Sequence, residues 1–393
     1  MPSSTRALFI GKVLYFFLFA ALGIFVPFLN VYYKGIGLSG TQIGLINTLG
    51  PLIAIFAGPM WGLMCDRLGK LRLLLGGVIL GTIVSVLGLS MVTTFFAILS
   101  LVAVFNLFAS AIMPLVDSYN LSLLGDHRER YGEQRLWGTF GFLTSTIFAG
   151  SIFEQTGLHG VFAGYALCLG LLLITLVWLP PAATRVGRTV FKGFTQMLRQ
   201  PVWIILSVAV ILVMIANNSW VNFLGITVKE MGANDSLVGR MWSVGAISEI
   251  PVMLYGTRLL RRWGAKRMIA TGFFFYGVRL ILYAAMPRPE WVLGINLMQG
   301  LSFGFYWVGG VNYVSQITPE HLRATGQSML ASFYNIASVT AGPLIGSVFD
   351  TFGSSRMYLL AAVTAWSGVM IFVIGTLRLR KNAALQTHNH SGG

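Results

Sequence analysis

The sequence predicts an all-α membrane protein of twelve transmembrane helices in two pseudo-symmetric six-helix halves, and three observations predict it. The 393 residues are 55% hydrophobic and only 10% charged, with a mean hydropathy of +0.75. A water-soluble chain of this length carries far more charge. Twelve apolar runs approach or exceed the about 20 residues that a helix needs to cross the hydrocarbon layer. The longest polar, basic stretch between runs, "PPAATRVGRTVFKGFTQMLRQP", falls mid-chain and parts them six and six.

In order the runs are 7–33, 43–65, 71–93, 95–123, 135–155, 160–180, 203–228, 237–258, 266–287, 291–317, 324–350 and 355–378. Each is closed by polar, charged or helix-breaking residues. Lys34 and Gly37 follow the first, "DRLGK" the second, and "GDHRERYGEQ" the fourth. "QTGLHG" follows the fifth, and Pro180–Pro181 end the sixth, where the missing amide hydrogen stops a helix. In the second half "KEMGAND", "RLLRRWGAK", "PRPE", "TPEHLR" and "FGSSR" serve the same purpose. The expected organisation is an N-terminal half at 1–182, a cytoplasmic linker at 183–202, a C-terminal half at 203–380 and a disordered cytoplasmic tail at 381–393. No long soluble insert remains for a separate enzyme domain.

A net charge of +15 invites a nucleic-acid reading, but its placement argues otherwise. With the N-terminus taken as cytoplasmic, 20 Lys and Arg fall on the inner side, in clusters such as Arg67/Lys70/Arg72, Arg185/Arg188/Lys192/Arg199 and Arg258/Arg261/Arg262/Lys266/Arg267. Five fall outside: Lys34, Lys229, Arg240, Arg288 and Arg356. That asymmetry is the positive-inside rule, and it places both termini in the cytoplasm of a multi-pass cell-membrane protein. The basic excess orients the chain; no nucleic acid is expected. Cys65 and Cys168 stand far apart in apolar context and suggest neither a disulfide framework nor a metal site. No cleavable signal peptide is evident. His388 and His390 sit in a polar tail rather than in a metal-ligand pattern, and no cofactor is implied.

The halves read as repeats. "GSIFEQTG" at 150–157 returns as "GSVFDTFG" at 346–353, an offset of 196, and "GLMCDRLGKLR" at 62–72 has a worn counterpart in "GTRLLRRWGAKR" at 256–267. Parallel six-span repeats place a binding site near the bilayer midplane, between the halves.

"GLMCDRLGK" lies between the second and third runs. Gly62 and Gly69 permit close helix approach and a tight turn, while Asp66 can face Arg67 or Arg72 in a cluster that locks and releases. The positive-inside rule alone explains the arginines but not an aspartate among them. The stretch resembles the signature loop of the major facilitator superfamily. "YFFLFAALGIFVPFLNVYYKGIGLS", "FNLFASAIMPLVDSYN" and "YGEQRLWGTFGF" resemble the oligosaccharide, phenylpropionate and nucleoside proton symporter branch, which is lactose permease-like. "WSVGAISEIPVMLYGTRLLRRWGAKR" extends the likeness into the second half, so that it covers nearly the whole chain. The resemblance implies transport by alternating access, with a small-molecule substrate, protons and the lipid bilayer as partners; with neither a His/Glu metal cluster nor a nucleophile–base pair in the sequence, no enzyme is expected.

Ionisable residues inside the runs are the candidate site. Asp117 and Arg135 lie nine residues either side of Asp126, the expected hairpin tip. If both arms are helical, each sits roughly 13 Å below it at 1.5 Å per residue. An acid at the centre of a spanning helix costs on the order of 3 kcal/mol in insertion scales, so function is the default reading. The plainer alternatives are an arginine capping the end of the fifth run and a structurally hydrogen-bonded acid. Glu249 in the eighth run and Arg279 in the ninth form the second pair. By the family likeness the Asp117–Arg135 spacing matches an acid and arginine that hold the sugar, Glu249 is offset by about a helical turn from the family's acid, and Arg279 matches an arginine beside the proton-bearing acid. Gln299 and Ser302 stand where that branch carries a titrating histidine and glutamate, and no histidine falls inside a run. Proton coupling then rests on Asp117 or Glu249.

Asn217, Asn218, Trp220 and Asn222 in the seventh run, Tyr306, Trp307, Asn312 and Tyr313 in the tenth, and Tyr334 and Asn335 in the eleventh offer flat apolar faces with amide donors. That surface suits a sugar, a nucleoside or an aromatic acid; aromatic belts and helix–helix amide bonds explain the same residues without a ligand. The expected substrate-binding set is Asp117, Arg135, Glu249, Arg279, Asn217, Trp220, Tyr306, Gln299 and Asn312, with Asp66, Arg67, Gly62 and Gly69 as the cytoplasmic gate. The expected function is proton-coupled uptake of a small polar or aromatic organic solute by a monomer. An exporter of drugs or lipids, or a ligand sensor without turnover, stays open as an alternative.

Overall fold

The computed structural model describes residues 5–124, 130–178 and 194–390. Among them the backbone forms helices and short connections, with no strand. That is what a lipid environment demands, since each amide must find its partner within its own segment. The helices are α1 (Thr5–Gly35), α2 (Gly40–Leu68), α3 (Leu71–Leu89), α4 (Phe95–Leu124), α5 (Tyr131–Thr156) and α6 (Gly160–Thr175). A short α7 (Phe194–Leu198) precedes α8 (Pro201–Glu230), α9 (Asp235–Trp263), α10 (Ala265–Ala284), α11 (Trp291–Asn296), α12 (Phe305–Ile317) and α13 (Arg323–His390).

Ten stretches among the described residues are long and apolar enough to cross a membrane as single helices. The last of them, Thr325–Leu379, holds two passes, because Gly353 interrupts α13 with φ 77° and ψ 175°. One further pass is made of α11 and α12, divided by a π-helical turn at Gly300–Gly304. The twelve expected spans are thus all present. The backbone of α13 runs on to His390, helical where a disordered tail is expected. Ala383, Ala384, Leu385 and Gln386 favour helix, and no Gly or Pro intervenes before that point.

The duplication is written in the backbone. Among the described residues six have positive φ, all of them glycines: Gly37, Gly69, Gly157, Gly232, Gly264 and Gly353. Gly37 and Gly232 are 195 residues apart, Gly69 and Gly264 likewise, and Gly157 and Gly353 are 196 apart. Each pair ends a helix at the equivalent place in its half, where a left-handed or extended positive-φ step reverses the chain without a Cβ clash.

Two compact units emerge from the packing. The first comprises Met1–Arg188 and Gly225–Ser243, the second Thr189–Leu224 and Val244–Gly393. In the first, α1 is central and packs on α4, α5 and α6, while α3 rests on α4 and α6. The α1–α5 contact is backbone to backbone: a Cβ added to Gly141 would stand 2.2 Å from the Phe16 carbonyl oxygen. The hairpin joining α8 to α9 belongs to this unit because it is tied to α1 and α5. Lys34 lies 3.9 Å from Glu230, and Asn234 donates to Glu154 at 3.0 Å.

In the second unit α10 packs on α12, α13 and the π turn. On its α9 side the π turn presses against Ser248, whose carbonyl oxygen would be 2.2 Å from a Cβ on Gly300. Ser248 Oγ accepts the Gly300 amide at 3.0 Å and so caps backbone that the widened turn leaves open.

These contacts rank the glycines. Gly141→Ala forces α1 from α5 and lowers stability by about 1–3 kcal/mol. Gly58→Ala in α2, where an added Cβ meets nothing within 4 Å, is neutral or stabilising by up to about 1 kcal/mol. Thermal unfolding of the detergent-purified variants measures both, and the reverse order would refute the assigned α1–α5 packing.

Candidate functional site

The first unit builds its site on three helices. Tyr15 and Phe19 are one turn apart on α1, Tyr131 and Arg135 one turn apart on α5, and Asp117 projects from α4 between them. Tyr15 donates its hydroxyl to Asp117 Oδ1 at 2.5 Å, and Tyr131 donates to the same oxygen at 3.0 Å. Arg135 Nη1 lies 3.7 Å from that oxygen and donates to the Tyr131 hydroxyl at 3.2 Å. The guanidinium also sits over the Phe19 ring, 5.4 Å from its centre. Arginine and aspartate therefore meet at equal depth, as their spacing predicts, but the hydrogen bond between them is routed through a tyrosine. The pair is partly exposed: the side chains are 45% and 28% accessible.

The second unit repeats that logic with other residues. Arg279 on α10 is buried to 1% exposure. Its Nη1 donates to Gln299 Oε1 and to Ser302 Oγ at 2.8 Å. Its Nη2 donates to the Tyr283 hydroxyl at 2.7 Å and to Asn296 Oδ1 at 3.4 Å, and Tyr283 itself donates to Asn296. The Trp220 ring of α8 lies 4.8 Å from the guanidinium carbon. Gln299 then donates through Nε2 to Glu249 Oε1 on α9 at 3.1 Å. The expected Arg279–Glu249 partnership thus runs through an amide. Asn296, Gln299 and Ser302 come three residues apart, and all three reach Arg279 across the point where the π turn begins at Gly300.

The remaining expected residues divide. Asn217 accepts the Trp220 indole N–H at 2.7 Å, so these two form one buried unit beneath Arg279. Tyr306 stacks on Phe273 at 5.6 Å in the α10–α12 packing, and Asn312 donates back to the Val308 carbonyl of its own helix at 2.8 Å. Neither joins the Arg279 network. At the expected gate, Gly69 ends α2 with φ 60° and donates its amide to Cys65. Arg67 is exposed in the last turn and Gly62 lies within α2; the Asp66 side chain lies outside the described residues.

Sequence reasoning missed Tyr15, Tyr131, Tyr283 and Asn296. A signal existed for two of them, since Tyr131 precedes Arg135 by four residues and Tyr283 follows Arg279 by four, the spacing that shares a helix face. Tyr15 carried none, because its contact spans 102 positions. Among the described residues no cluster of His, Cys, Asp and Glu could hold a metal ion.

Comparisons with known proteins agree with this architecture. Residues 8–360 match the MFS_1-like family. The chain is 27% identical to the maltose permease of Geobacillus stearothermophilus, over 93% of this chain and 94% of that one. It is also 27% identical to the probable 3-phenylpropionic acid transporter of Escherichia coli, over 79% and 82%. The fold matches the crystal structure of the nucleoside transporter NupG with a TM-score of 0.85 at 17% identity, covering 95% of this chain and 99% of that one. The chain therefore belongs to the MFS_1-like family of multi-pass membrane transporters.

Proposed function

We propose that this transporter couples proton movement to uptake of a small polar or aromatic organic solute by alternating access. One observation carries the proposal: each unit holds an intramembrane acid joined to an arginine through a neutral hydrogen-bonding side chain, Tyr131 in one and Gln299 in the other. A carboxylate that accepts from such a relay loses its charge when protonated. The relay bond weakens, and the arginine is left as an unbalanced cation in a low-dielectric setting. Proton occupancy and side-chain geometry are thereby linked. A carrier of greasy compounds needs no such device.

The two assemblies divide the work. Asp117 and Arg135 are exposed enough to meet a solute. Arg279 is enclosed by its own partners, so Glu249, Gln299 and Trp220 tune and hold the second unit, with Glu249 as the alternative proton carrier. Gly62, Asp66, Arg67 and Gly69 form the gate on the side of the basic clusters, which is cytoplasmic together with both termini. The maltose permease and phenylpropionic acid transporter names support a sugar or aromatic-acid solute class, and the working unit is a monomer in the cell membrane.

Asp117→Asn abolishes concentrative uptake into proteoliposomes under an imposed proton gradient while the protein stays folded. Tyr131→Phe, which removes a hydrogen bond to a charged group worth about 1.5–3 kcal/mol, lowers uptake by about 10- to 100-fold. Normal accumulation by Asp117→Asn, with maltose, a nucleoside and 3-phenylpropionate all tried, eliminates the acid as an essential group.

Charge decides between solute classes. With both acids ionised, Arg135 has Asp117 beside it and Arg279 is wrapped by neutral donors and acceptors, which leaves neither arginine waiting for a carboxylate. A neutral solute is favoured, and with one proton it carries one charge across the membrane and feels about 2.3 kcal/mol per 100 mV. Substrate addition to proteoliposomes on a solid-supported membrane then gives a current. Robust uptake with no current, at zero imposed potential and across pH, identifies a monocarboxylate instead.

A further inference from the structure

A groove of about 790 Å³ runs along the outside of the first unit between α3 and the end of α6. Its body is apolar, with Gly76, Gly77, Leu173 and Val177 along it, and its rim carries Lys70 and Arg72. Of its lining, the transport reading uses only Gly69, at the end of α2. Gly76 brings the helices into ordinary contact, since its added Cβ would meet methyls of Leu173 and Leu176 at 3.7 and 3.8 Å. Gly77 opens the space beside them: a Cβ there meets nothing within 4 Å. Leu73 and Val177 stand 68% and 62% exposed around it.

We infer that this groove seats an anionic phospholipid, its headgroup on Lys70 and Arg72 and an acyl chain over Gly76 and Gly77. Length and charge together favour that occupant. Lys70 marks the helix end, and the lining reaches Leu80, ten residues deeper or about 15 Å. That is about half the hydrocarbon thickness, the depth of one leaflet. Two cations at the headgroup level above an apolar trough match a negative headgroup above a hydrocarbon tail. A free phosphate would leave the trough unfilled, and an uncharged lipid would leave the cations unmatched.

Native mass spectrometry of the full chain, released from detergent with phosphatidylglycerol or with phosphatidylcholine of the same acyl chains, tests the assignment. The wild type retains phosphatidylglycerol in preference to phosphatidylcholine. In Lys70→Ala/Arg72→Ala that preference falls by about 25-fold, corresponding to about 1 kcal/mol for each basic side chain near the surface. Gly77→Phe fills open space without displacing packed atoms and reduces retention of both lipids while the unfolding temperature holds. Equal retention of the two lipids by the wild type overturns the inference, as does unchanged preference in the double variant. A dimer that forms without lipid and is lost in Gly77→Phe overturns it too, and gives the groove to a second copy of the chain.

Discussion

A guanidinium with 1% of its surface exposed, inside a helix that crosses a membrane, sets the terms for the second unit. Arginine does not shed its proton, so Arg279 stays charged, and leaving it unmatched in a spanning helix costs from about 3 to more than 10 kcal/mol by different measures. The protein answers with four hydrogen bonds to Gln299, Ser302, Tyr283 and Asn296 and an indole face below. Bonds to a charged group contribute about 1.5–3 kcal/mol each, enough in sum to hold the cation in place. Several other local features follow from that need. Trp220 is oriented by Asn217, the α11–α12 pass turns its polar residues toward α10, and Ser248 props the turn from the opposite side.

The first unit meets a milder demand with a looser arrangement. Arg135 and Asp117 keep part of their surface open, and their ion-pair distance of 3.7 Å is longer than a direct hydrogen bond. Two tyrosine hydroxyls supply what the arginine does not. Both units therefore show one chemical order, cation to neutral donor to acid, at positions that the 195-residue offset does not pair. In the proposed function the open assembly meets the solute, and the closed one responds to charge without admitting a ligand.

How much of this was legible beforehand depended on the range over which the information travels. Twelve passes could be read because hydropathy is local, and the Asp117–Arg135 meeting could be read because both residues flank one short hairpin. The Tyr15 donor could not, since α1 meets α4 only in the folded chain. Gln299 was expected to stand where the family carries a titrating residue, and its use as a bridge could not be read because it needs the α9–α10–α11 geometry. Asn312 and Tyr306 show the opposite failure. An amide or a ring at mid-span has the same sequence signature whether it faces a ligand, its own helix or a neighbour.

The glycine spacings carry one more meaning. The repeat offset is 195 at the first two pairs and 196 at the third, so the second half is one residue longer somewhere between Gly264 and Gly353. That interval contains the π turn, which among the described residues is the one place where a helix absorbs an extra residue within its own winding. Removing one residue there would leave an ordinary α-helix with the segments before and after it still in register, because the widened turn already takes up the extra residue. Asn296 and Gln299 would keep their side of the pass, and the widened turn whose Gly300 amide Ser248 caps would be lost. A single codon's length thus widens the wall of the pass beside Ser248 and leaves the facing of its flanks as it was.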